Sequence, residues 1–157
     1  MSQDSEDDQE RLDRELIELL NELRVVLPGV QVLFAFLLTV PFTNQFSKIT
    51  NGQRQVFFAT FLFTTAATAL LIAPSAYHRL RWRQHDKKKM LETSNRLSIG
   101  GMVFLTFALV CAAYLVTDLL FHVTVAVLVT AMVASFFLWF WWGLPLWRRL
   151  ILRRGPP

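Results

Sequence analysis

The residues able to do chemistry in this chain are few: Asp118, His122, His78, Gln31 and Cys111. Asp118 and His122 stand four positions apart, a spacing that would set a carboxylate and an imidazole on one helix face, as proton relays require. Their place between two apolar runs suits ordinary interfacial polar residues equally well. His78 sits in Tyr77-His78-Arg79, with His85 beyond it, and a charged loop accounts for both without a ligand role. Gln31 is the one amide of its apolar run, where a single Gln usually bonds across to a neighbouring helix. Cys111 is the only cysteine, which excludes an intrachain disulfide and reads as a small packing residue. Haem ligation would want histidines at matched depth within apolar runs, and none lies inside one. No Cys/His spacing suits zinc, no Gly-rich loop suits a phosphate, and no nucleophile is paired with a base. The chain is therefore not expected to be an enzyme, and no catalytic, metal or cofactor-binding residue is expected in it.

Four blocks of mostly apolar residues must position these groups, each near the length an α-helix needs to cross a hydrocarbon core. They run approximately from Val25 to Val40, Val56 to Ala76, Leu97 to Thr117 and Val123 to Trp142. No Asp, Glu, Lys or Arg falls inside any of them, so burial against lipid carries no ionic penalty. The expected fold is all-α: a four-transmembrane-helix bundle over residues 25–147, an acidic N-terminal arm over 1–24, and a basic cytoplasmic tail over 148–157. Met1 opens an acidic, apolar-poor segment, so no cleavable signal peptide is expected.

Charge sets the expected orientation. All sixteen basic residues except Lys48 and Arg54 fall on one side of a four-span layout. Arg11, Arg14 and Arg24 lie in the arm, Arg79, Arg81, Arg83, Lys87, Lys88, Lys89 and Arg96 in the central connection, and Arg148, Arg149, Arg153 and Arg154 in the tail. By the positive-inside rule both termini and the central connection should be cytoplasmic, in a multi-pass protein of a bacterial plasma membrane. Trp82, Trp139, Trp141, Trp142 and Trp147 crowd the same interface, as aromatic anchors do. The sequence pI near 9.7 thus reports topology, and nucleic acid is not an expected partner.

In the arm, Leu12, Leu16, Leu19, Leu20 and Leu23 share one helical face, while Asp13, Arg14, Glu18 and Glu22 point elsewhere. Ser5 with Asp8 three residues later reads as a cap at its start. Every acidic residue except Asp86, Glu92 and Asp118 lies in this arm. An acidic amphipathic helix is repelled by anionic lipid, so the leucine face is expected to dock on protein, over the basic central connection of this chain or of a neighbour. A solvated helix leading into the first span is the alternative.

Between the first two spans, Thr43 to Gln55 reads as a polar outer loop with a turn at Asn51-Gly52. Asp118 to His122 forces a tight hairpin between the last two. Thr60, Thr64, Thr65 and Thr68 are expected to bond back to their own helix. Rows of small residues, Thr65, Ala69 and Ala73, and Gly100, Ala108 and Ala112, mark expected helix contacts. Pro28-Gly29 and Pro74 are expected to bend the chain near span ends.

Three blocks carry a resemblance: Asn21-Glu22-Leu23-Arg24 leading into Pro28-Gly29-Val30-Gln31-Val32-Leu33-Phe34; Ala73-Pro74-Ser75-Ala76-Tyr77-His78-Arg79; and Asn95-Arg96-Leu97. Over about residues 10 to 120 the chain resembles a family of small actinobacterial integral membrane proteins classed as a domain of unknown function, the DUF6328 type. The resemblance implies an actinobacterial plasma-membrane protein and brings no established activity or catalytic residue. A sodium:proton antiporter label carried by some such sequences matches poorly, because an antiporter needs a titratable ion site near the midplane.

Phe136, Phe137, Trp139, Phe140, Trp141 and Trp142 surround the fourth span, more aromatic surface than an interfacial belt needs. With the leucine face of the arm they form the expected partner interface. The leading expectation is a non-catalytic accessory subunit packed on a larger membrane complex, with the cytochrome bc and oxidase assembly of a respiratory chain as host. The first alternative is an oligomeric ion or proton carrier lined by Asp118, His122 and Gln31. The second is a lipid-binding membrane organiser whose basic loop, Arg79, Arg81, Arg83, Lys87, Lys88 and Lys89, attracts anionic headgroups. Expected partners are other integral membrane proteins and phospholipids, with a homo-oligomer open.

Overall fold

The computed structural model describes the backbone of residues 3–44, 46–81 and 87–143, and the side chains of residues 11–44, 46–76, 89–141 and 143. The basic tail and most side chains of the central connection therefore lie outside the described residues. The described chain is helical throughout its regular structure: α1 is Gln3–Thr39, α2 Asn51–Arg81, α3 Lys87–Leu120 and α4 Val123–Leu138. A π-helical turn, Trp139–Gly143, follows α4. Four stretches are long and apolar enough to cross a membrane, Arg11–Phe42, Asn51–Ala76, Lys89–Leu120 and Val123–Trp141, and they include the four expected blocks apart from Trp142.

The arm and the first span are one helix. At 37 residues, α1 is roughly 55 Å long at about 1.5 Å per residue, nearly twice a hydrocarbon core of about 30 Å. Ser5 accordingly lies inside α1 rather than at its start. Pro28 lies inside it too, and Pro74 inside α2, so neither proline marks an end. Packing on both sides carries α1 past Pro28: Leu16, Leu23, Val30 and Leu37 are 5%, 1%, 1% and 4% exposed. Their seven-residue spacing is two helical turns, which keeps one stripe facing the interior. Leu12, Leu19 and Leu20 are half-buried beside it.

The expected outer loop is shorter than its sequence suggests. Two 3-10 turns, Val40–Phe42 and Phe46–Lys48, occupy it, and α2 begins at Asn51, so Asn51-Gly52 opens a helix instead of making a turn. The cause is a reciprocal cap. The Gln53 N–H donates to the Thr50 hydroxyl at 3.3 Å, and the Thr50 N–H donates to the Gln53 side-chain oxygen at 3.0 Å. Two backbone donors that a helix start leaves bare are thus satisfied, which favours helix over turn.

The chain divides into two compact units, Met1–Ile49 with Phe61–Leu105, and Thr50–Thr60 with Thr106–Pro157. In the first unit, Thr64, Ala67, Leu71 and Pro74 of α2 and Ser94, Ser98, Gly101 and Leu105 of α3 are buried. Phe63 meets Phe104 with ring centroids 6.1 Å apart, and Phe34 of α1 stacks on Phe61 of α2 at 5.5 Å. Gly101 takes the closest approach, since a Cβ there would stand 2.7 Å from Leu71 Cγ. In the second unit, Phe57 and Thr60 of α2, Ala108 and Leu115 of α3, and Ala126 of α4 are buried.

Of the two small-residue rows expected at contacts, Ala108 is buried and Gly100 and Ala112 are half-buried, but Thr65 and Ala69 are exposed and Ala73 is half-buried. Steps of four residues advance about 40° beyond a full turn, so a strict row walks off the seam. The buried stripe of α2 steps by three and four in alternation, which keeps a helix facing its neighbour. Thr60, Thr65 and Thr68 do bond back, to the carbonyls of Val56, Phe61 and Thr64 at 2.8, 2.8 and 2.7 Å.

Candidate functional site

The carboxylate of Asp118 is engaged from α2. Asp118 lies in the last turn of α3, half-buried, and its Oδ2 accepts a hydrogen bond from Gln53 Nε2 at 2.9 Å. The Gln53 oxygen is already committed to the Thr50 N–H, so its nitrogen is left to point at Asp118. One amide therefore caps α2 and ties its first turn to the end of α3. Charge-assisted bonds of this type are stronger than neutral ones. In the same unit, Cys111 of α3 is half-buried.

His122 does not join Asp118. Helix α3 ends at Leu120, and His122 has extended backbone, φ −75° and ψ 155°, as the residue that precedes α4. Two positions separate the helices, so the four-residue spacing never becomes one helical face. The His122 carbonyl accepts the N–H groups of Val125 and Ala126 at 3.0 and 3.2 Å, while its exposed side chain makes no capping bond. Its role here is to start a helix.

Gln31, the third residue of the expected path, belongs to the first unit and lines an open groove of about 400 Å³. The groove is walled by α1 from Leu20 to Gln31 and by Ser75 of α2. The cross-helix hydrogen bond expected of Gln31 is not formed among the described residues.

The fourth helix is the most exposed apolar surface of the described chain. Only Ala126 of α4 is buried, whereas Val127, Leu128, Met132, Phe136 and Leu138 are all more than half exposed. At its end the rings support one another: Phe136 lies 4.6 Å from Phe140 and 6.3 Å from Phe137, and Phe137 lies edge-on to Trp141 at 5.2 Å. Trp139 and Phe140 remain exposed, and Trp141 is 38% exposed. The π-helical turn adds a residue to the turn and so rotates these rings relative to an α-helical path. The Trp142 side chain lies outside the described residues, as do those of Arg79, Arg81, Arg83, Lys87 and Lys88; Lys89 is exposed.

A family model described as "Family of unknown function (DUF6328)" matches residues 5–145. The chain belongs to the DUF6328 family. The match takes in all four helices of this DUF6328 member, including α4, which lies beyond the blocks that carry the resemblance at sequence level. No curated protein and no solved structure matches the chain. The family thus supplies a membership and a boundary, and the roles of residues rest on the geometry above.

Gln53 is the residue that sequence reasoning misses. Its signal is present as Thr50-x-x-Gln53 ahead of an apolar run, the pattern of a capping box, but the adjacent Asn-Gly pair argues for a turn. Arg24 reads in the sequence only as one topogenic charge. Its place in the groove depends on which face of α1 meets α2.

Proposed function

We propose that this chain is a non-catalytic accessory subunit of a larger membrane complex, docked through the aromatic face of α4. The observation that carries the reading is the burial pattern of that helix. Across its length one residue, Ala126, is buried, and the ring-stacked cluster from Phe136 to Trp141 stays largely open. Lipid tails would cover an aliphatic helix equally well. Preassembled aromatic rings, which lose little side-chain freedom on contact, are the material of protein–protein hot spots.

Both termini and the central connection are proposed to be cytoplasmic, on the strength of the basic residues that surround them. In that orientation the acidic part of α1 shares a compartment with Lys89 and Arg96. The carrier alternative draws less support. Asp118 is bound by Gln53, and His122 is not beside it.

The test is purification from the native membrane in mild detergent, followed by native mass measurement and identification of whatever co-purifies. The proposed outcome is stoichiometric recovery with a larger assembly, the respiratory bc and oxidase complexes being the first to look for. Recovery as a monomer or homo-oligomer would overturn it. A flux assay on Asp118→Asn is then decisive for the carrier, which must lose transport when the charge is removed.

A further inference from the structure

We propose that the groove between α1 and α2 binds the headgroup of an anionic phospholipid, with Arg24 on its phosphate and Gln31 on the glycerol esters. The inference is independent of α4 and of the accessory-subunit reading. Arg24 is the last charged residue before the apolar part of α1, which puts it where hydrocarbon gives way to water. Among the described residues it has neither an ion pair nor a hydrogen bond. The other polar residues of the groove, Asn21, Gln31 and Ser75, have no side-chain hydrogen bond among the described residues either. Donors of four residues that have no hydrogen-bond partner among the described residues therefore line one cleft.

Depth decides what can satisfy them. Gln31 lies two helical turns, roughly 10 Å, further along α1 than Arg24. An exposed amide in water is hydrated, but at that depth little water is present to serve it. A phospholipid presents matching acceptors in the same order, anionic phosphate oxygens at the interface and ester carbonyls a few ångströms deeper. The guanidinium fork fits two phosphate oxygens at once, and the Gln31 amide donates to an ester carbonyl. The floor is apolar, from buried Leu23 and half-buried Leu20 and Leu27. A volume of about 400 Å³ suits a headgroup and its glycerol, with the acyl chains left in the bilayer. Glu18 and Glu22, the nearest acids on α1, do not line the groove, and Arg24 is the one charged residue among its described lining.

The test uses the full chain in mild detergent, titrated with phosphatidylglycerol or phosphatidylcholine of the same acyl chains and read by native mass spectrometry. The first bound lipid should be phosphatidylglycerol with a preference of about tenfold. Arg24→Gln should abolish the preference and Arg24→Lys should keep part of it. Gln31→Leu should weaken both lipids, since both carry ester carbonyls. Three results would overturn the proposal: equal binding of the two lipids by the unmodified chain, a preference unchanged in Arg24→Gln, or displacement by glycerol 3-phosphate as effective as by the lipid. A co-purifying polypeptide that blocks lipid binding would overturn it as well. If Arg24→Gln fails to fold, the lipid comparison on the unmodified chain and the Gln31→Leu variant still decide.

Discussion

Gln53 uses both ends of one amide, its oxygen on the Thr50 N–H and its nitrogen on Asp118. Glutamate at this position would keep the cap but set a second carboxylate against Asp118. We expect Gln53→Glu to lower resistance to unfolding in SDS by about 1–3 kcal/mol, the scale of a lost charged hydrogen bond. Asp118→Asn should cost less, about 0.5–1.5 kcal/mol, because the asparagine oxygen still accepts the Gln53 bond, now as a neutral one. When Gln53→Glu and Asp118→Asn are combined the polarity reverses, the new amide on α3 donating to the new carboxylate on α2. A double-mutant cycle should then recover most of the loss; strict additivity would show that the clasp is not a direct contact. Ser94 makes the opposite case. Its hydroxyl is buried and has no hydrogen-bond partner among the described residues, so Ser94→Ala should leave the same SDS midpoint unchanged or raised. The chemistry of Asp118 is half legible in the sequence: its boundary position shows, its partner does not, because that partner lies 65 positions away.

Helices are legible as elements, and their faces are not. Apolar length alone locates all four spans, since a helix is the one open structure that satisfies its own backbone in lipid. Which side packs depends on phase, and small residues occur on several sides of α2 and α3. Gly100 and Gly101 are adjacent in sequence, yet a Cβ at Gly100 would meet Leu70 Cδ1 at an ordinary 3.6 Å, while one at Gly101 would strike buried Leu71. Gly101→Ala should therefore destabilise by about 1–3 kcal/mol through overpacking. Gly100→Ala should be neutral or stabilising by up to about 1 kcal/mol from helix propensity. Thermal unfolding of the two variants in one detergent checks both, and equal effects would refute the close approach at Gly101. The arm shows the same limit. Its leucines are visible, whereas its continuity with the first span is hidden by Pro28-Gly29, a pair that ordinarily ends a helix.

At the scale of the molecule, the chain is a set of long helices with one, α4, left mostly uncovered. Phe136→Ala with Phe140→Ala should lower the unfolding free energy of the isolated chain by no more than about 1.5 kcal/mol, the scale of one aromatic pair at exposed positions. The same pair should cut co-recovery of the partner complex at least about tenfold; undiminished recovery would move the interface elsewhere. Family membership spans residues 5–145 and so treats α4 as part of the family's plan rather than an appendage. Pro28 gives the long first helix a further property. It has no N–H to offer the Arg24 carbonyl, so one rung is missing where the charged half of α1 meets its apolar half. The helix is in effect a jointed beam, with Asn21 and Arg24 on one arm and Gln31 on the other. Anything that bridges them splints the joint, in addition to the packing of Leu16 and Leu23 that already holds the acidic arm in line with the span it is built on.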